Sequence, residues 1–99
     1  MSAFTIVRFQ ALPGQAEAFE RTFGAIERAL PGLTRFVLVK TGERSYCSIG
    51  EFEQYEHIVS ARTTMRANLD SFRHVLEPFD ETLGVTDPVS GEAVLDVRP

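Results

Sequence analysis

The stretch LTRFVLVKTGERSYCSIGEF, residues 33–52, decides the fold. Leu33 to Lys40 and Arg44 to Phe52 are rich in β-branched and aromatic residues, and Thr41-Gly42-Glu43 separates them by a short turn. The segment therefore reads as a hairpin of two antiparallel strands. In its first strand Phe36 and Leu38 alternate with Val37 and Val39. Because successive side chains point to opposite faces, both faces of this hairpin are apolar and both need a cover.

N-terminal to the hairpin, FTIVRF (residues 4–9) is another strand, ended by Leu12-Pro13-Gly14. Phe19, Phe23, Ile26 and Leu30 then follow i, i+4, i+7, i+11 spacing, which at ~100° per residue gathers them on one stripe of a helix. Pro31-Gly32 should stop that helix. C-terminal to the hairpin, residues 54–79 read as helical, with a break expected near Ser60 to Thr64, and Met65, Leu69, Phe72 and Leu76 form the apolar stripe. Turn chemistry at Asp87-Pro88 and Ser90-Gly91 leads to an expected last strand, Glu92 to Val97. The order is β-α-β-β-α-β, an α+β ferredoxin-like unit with a four-stranded antiparallel sheet. Two helices cover one sheet face only, so a second copy is the simplest cover for the other, and a homodimer packed sheet to sheet is expected.

Composition is consistent with this reading. The chain has 99 residues, 43% of them hydrophobic and 24% charged, which suits a single globular domain spanning residues 1–99 and argues against disorder. A net charge of −4 with no Lys/Arg run is the wrong sign for nucleic acid or an anionic membrane surface. One cysteine cannot make an internal disulfide, and no segment approaches the ~20 apolar residues of a membrane span, so a cytoplasmic protein is expected. No cluster of metal ligands, phosphate-binding loop or nucleotide fingerprint is present.

The sequence resembles the antibiotic biosynthesis monooxygenase family of dimeric α/β-barrel proteins. VRFQALPGQAEAFE (7–20), ALPGL (29–33), LVKTGERSYCSIGEFE (38–53) and GVTDPVSGEAVLD (84–96) carry the resemblance. It implies a ligand held between the sheet and its helices, an aromatic or polyketide-like substrate, and oxidation by O2 without metal, flavin or any other cofactor. Other members of such families degrade haem, using an Asn late in the first strand, a Trp at the end of the third and a His on the last long helix. This chain has no Asn in its first strand, no Trp anywhere, and Phe52 at the third-strand end. The cofactor-free oxygenases also use Asn and Trp in their pockets, so a non-catalytic binding or sensing module of the same fold is the alternative.

The pocket expected from the stripes and one strand face comprises Phe19, Phe23, Met65, Leu69 and Phe72 with Tyr46, Ser48 and Phe52, leaving room for a small apolar or aromatic molecule. Tyr46 and Ser48 are candidate hydrogen-bond partners for a phenol or carbonyl, against simple packing at the core edge. His57 is a candidate base for a phenolic proton, against a partly exposed surface histidine. Asn68, on the stripe's border, could bind a carbonyl. Arg62, Arg66 and Arg73 form a row beside the stripe that either holds an anion at the pocket mouth or pairs with nearby acids. His74 lies opposite the stripe and should face water. Arg8, inside an apolar strand, needs a partner, and Glu51 is the expected one. Cys47 sits mid-strand with no neighbouring cation or helix N-terminus to hold a thiolate, so it reads as packing on the dimer side.

Overall fold

The computed structural model describes residues 1–99. Strand β1 (Ala3–Gln10) leads to helix α1 (Ala16–Gly24), the hairpin is β2 (Leu33–Lys40) with β3 (Ser45–Phe52), and helix α2 (Tyr55–Phe72) runs through a short 3-10 turn, Arg73–Val75, towards β4 (Asp87–Glu92). The sheet is antiparallel throughout in the order β2-β3-β1-β4, so the β-α-β-β-α-β arrangement and four-stranded antiparallel sheet expected from the sequence are present. In register, Phe9 faces Tyr46, Val7 faces Ser48 and Thr5 faces Gly50; these pairs lie on the helix side.

Three boundaries differ from the sequence reading. Helix α1 stops at Gly24 rather than continuing to Leu30. Glycine costs about 1 kcal/mol in a helix relative to alanine, and Arg28 folds back to donate to the carbonyls of Phe23, Gly24 and Ile26, satisfying groups that a helix end leaves bare. Helix α2 is unbroken through Ser60 to Thr64 but ends before residue 79. Its continuation is drawn into the sheet layer: Leu12 N–H donates to the Val75 carbonyl at 2.9 Å and Glu77 N–H to the Gln10 carbonyl at 2.7 Å.

The last strand is Asp87–Glu92, not Glu92 to Val97. Pro88 is admissible there because β4 is an edge strand that pairs only with β1. Arg8 consequently pairs with Asp87, its register partner, through Nε at 2.8 Å and Nη2 at 2.5 Å. The expected partner Glu51 stands opposite Phe4 and Arg35 instead.

The core has two parts. Phe9, Ala11, Phe19, Phe23, Tyr46, Phe72, Val75 and Leu76 form one cluster, and Ala3, Phe52, Ile58 and Ala61 a second. Aromatic rings dominate the first, with Phe19 within 4.7 Å of Tyr46 and 5.7 Å of Phe72 between centroids. On the opposite sheet face, alternation places Phe4, Ile6, Val37, Val39, Cys47, Ile49 and Val89; the tail residues Asp96, Val97 and Arg98 border Phe4, Val37 and Ile49, and no helix or further strand covers the face. Ile6, Val39 and Val89 remain 36%, 40% and 60% exposed. No helix is long and apolar enough to cross a membrane, and no group of three or more His, Cys, Asp or Glu side chains converges as a metal site would require.

Candidate functional site

A cavity of about 300 Å³ lies between the sheet and α2, at the lower end of the ~300–1,000 Å³ usual for small-molecule sites. It separates the two core clusters, touching Phe9, Phe23 and Phe72 on one side and Phe52 and Ile58 on the other. Thr5, Ser48 and Ser90 supply its floor from three adjacent strands. Gly50 lies in the same inward row, and a Cβ placed on it would lie 3.2 Å from Thr5 Cγ2 and 3.5 Å from Phe36. Small residues in the middle of a sheet face leave the helix nothing to settle onto, which is how a void persists in a close-packed interior. Ile26 and Leu30, on the irregular segment after α1, form part of the wall with Met65 and Leu69.

Of the ten residues expected as pocket lining or catalytic groups, seven are brought together here: Phe23, Ser48, Phe52, Met65, Asn68, Leu69 and Phe72 line the cavity. Three are not. Phe19 is fully buried in the aromatic cluster. Tyr46 points along the sheet towards α1, where its hydroxyl donates to Glu20 Oε2 at 2.5 Å, and Lys40 holds the same carboxylate oxygen at 3.2 Å. Burial, followed by the Glu20 hydrogen bond, raises the Tyr46 pKa above its ordinary value. The Tyr46 and Lys40 hydrogen bonds in turn lower that of Glu20, and Glu20 raises that of Lys40. Tyr46 is thus a packed phenol whose hydroxyl is committed to Glu20. His57 lies against Gly32, whose missing Cβ would fall 2.3 Å from its ring, and its buried Nδ1 has no hydrogen-bond partner. The imidazole packs on the turn into β2 and does not line the cavity.

Polar groups of the lining fall into a floor and a rim. On the floor, Ser90 Oγ donates to Thr5 Oγ1 at 3.1 Å. Asn68, expected to meet a ligand carbonyl, donates through Nδ2 to the Glu27 carbonyl at 2.9 Å and so ties α2 to the 25–32 segment. At the rim are Glu27, Arg28, Arg62 and Arg66. Arg28 is consumed by its three carbonyls and by the faces of Phe23 and Phe36, 5.8 and 5.4 Å from the guanidinium carbon. Arg73, the third of the expected row, pairs with Asp70 at 3.3 Å and does not reach the cavity. His74 is exposed. Sequence reasoning missed Thr5, Ser90, Glu27 and Ile58. The register opposite Ser48 and Gly50 was the one signal that could have found Thr5.

No family model matches the sequence, and no curated protein matches it significantly. Solved structures do. A provisionally assigned antibiotic biosynthesis monooxygenase from Chloroflexus aurantiacus is similar with a TM-score of 0.73 and 12% identity over 99% of this chain and 98% of the other. SnoaB, a cofactor-independent oxygenase from Streptomyces nogalater, gives 0.70 and 14% over 99% and 98%. A dimeric ferredoxin-like protein from an uncultured marine organism gives 0.75 and 11% over 99% and 92%. At these identities the likeness is one of fold, and the fold is ferredoxin-like.

Proposed function

We propose that this protein is a cofactor-independent monooxygenase, acting as a homodimer on a compact, electron-rich aromatic or polyketide-like substrate held in the cavity between the sheet and α2. The observation that carries the reading is a small, mostly apolar cavity within a fold similar to that of SnoaB, a cofactor-independent oxygenase. In the reaction a ring methylene becomes a carbonyl: two C–H bonds break, one oxygen atom of O2 forms the C=O bond and the other leaves as water. The substrate supplies all the electrons. The protein's part is to bind and orient the ring, exclude water, and favour the deprotonated phenol or enol that gives its electrons to O2 most readily.

Since His57 and Tyr46 stand outside the cavity, the carboxylate of the lining, Glu27, becomes the candidate proton acceptor. Its Oε1 accepts from the Ala29 amide at 2.6 Å, which fixes the side chain at the rim. Oxygen uptake with a panel of anthrones and quinols tests the reading. One O2 consumed per ketone formed, with the rate lowered roughly 100-fold or more in Glu27→Gln, is the expected result. The absence of His57 and Tyr46 from the cavity favours a second reading, a binding or sensing module of the same fold. Saturable binding of those compounds without oxygen uptake would establish it.

A further inference from the structure

The charged side chains around the cavity are three guanidinium groups against one carboxylate, in a chain whose net charge is −4. Positive charge is therefore concentrated where the apolar cavity opens. The chain's five ion pairs engage Arg8, Lys40, Arg44, Arg73 and Arg98, so none of the three arginines at the cavity, Arg28, Arg62 and Arg66, has a carboxylate partner. Arg28 has its donors occupied by three main-chain carbonyls, and Glu27 is engaged by a backbone amide on the loop side of the rim. Arg62 has only the Tyr55 hydroxyl at 3.4 Å. Arg62 and Arg66 are four residues apart on α2 and line the same opening, so they share one helix face and can converge on one group. Like charges at this spacing destabilise a helix by a few tenths of a kcal/mol, a cost that an anion between them removes.

We infer that the cavity takes an aromatic molecule bearing a carboxylate, with the ring system against Phe23, Phe52, Leu69 and Phe72 and the carboxylate at the rim between Arg62 and Arg66. Arginine suits this because its planar fork binds carboxylate in two parallel hydrogen bonds and stacks on aromatic surface. The inference deepens the reading of the cavity as a ligand site and names the substrate class, aromatic acids rather than neutral polycycles. It does not require turnover.

The test measures binding alone. Affinities of 1-hydroxy-2-naphthoate and its methyl ester are compared by calorimetry for the wild-type chain and for Arg62→Gln/Arg66→Gln. Both substituted positions are exposed on α2, and circular dichroism verifies the fold. The acid should bind at least tenfold more tightly than the ester and lose that advantage in high salt. In the double variant it should fall to the affinity of the ester, which itself changes less than twofold. Equal affinities in the wild-type protein, or a preference that survives the double substitution, overturns the inference. Failure of both compounds to bind overturns it together with the cavity as a ligand site. Preferential binding of the acid without oxygen uptake leaves the inference standing and removes only the oxygenase.

Discussion

Tyr46 illustrates how a residue attractive for chemistry is spent on structure. Its hydroxyl, Glu20 and Lys40 form one connected group at the end of the sheet. Tyr46 and Lys40 hold their protons to higher pH folded than unfolded, so their contribution to stability is fully present below about pH 10 and is lost as pH rises through their raised values. Glu20 works in the opposite direction, contributing above the ordinary carboxylate range and losing that contribution as pH falls through its lowered value. Tyr46→Phe should therefore lower Tm at pH 7 by roughly 4–8 °C and flatten the alkaline fall in Tm between pH 9 and 11, while leaving ligand affinity unchanged. Thermal melts across pH check both halves. Gly32 makes a sharper case: its φ of +80° disfavours any side chain, and a Cβ there would overlap the His57 ring. Gly32→Ala should cost about 2 kcal/mol or more. His57→Ala should recover part of that loss in the double variant, by relieving the overlap but not the backbone strain. A denaturant-melt cycle over the four proteins in which the two costs simply add would show that the ring is not what Gly32 accommodates.

Among the elements, β1, the hairpin and the start of α2 were legible because local pattern and tertiary outcome agree. The segment after α1 was not: Phe19, Phe23, Ile26 and Leu30 keep helical spacing across Gly24, but the chain leaves the helix there and still delivers Ile26 and Leu30 to the cavity wall. Periodicity records which residues end inside, not the backbone that carries them. The β4 sequence, DPVSGE, carries almost no strand signal and is chosen by pairing with β1, whereas the more apolar VLDV beyond it is left outside with Val94 at 92% exposure. Within the site, Ser48 and most of the large apolar residues were legible, Ile58 excepted, whereas Thr5 and Ser90 were not, since they matter by failing to fill space. The 25–32 segment is held chiefly by Arg28 and Asn68. Arg28→Ala should destabilise the protein by about 1.5–3 kcal/mol, the range for hydrogen bonds to a charged group. Amide exchange at Ile26, Ala29 and Leu30 should rise at least tenfold, with little change in β1 and β3. Uniform acceleration along the chain would mean that the segment does not open separately.

For the whole molecule, the apolar sheet face that no helix covers makes the strongest demand. Phe4, Ile6, Val37, Val39, Ile49 and Val89 form a contiguous surface across all four strands, and large exposed patches of this kind mark association sites. Light scattering at micromolar concentration should give twice the chain mass, and Ile49→Asp should give a monomer or an aggregate. A monomeric wild-type protein would refute the pairing. Cys47 lies on this face, away from the cavity, so Cys47→Ser should leave ligand affinity within twofold, as a binding titration would show. Because the sheet is one residue thick, neighbouring positions in β1 and β3 answer to different requirements: Val7 and Ser48 to what the cavity holds, Ile6 and Cys47 to what lies across the sheet. Substitutions on one face can accumulate without disturbing the other. The cavity lining can therefore be re-cut by substitution while the outer surface of the sheet stays as it is.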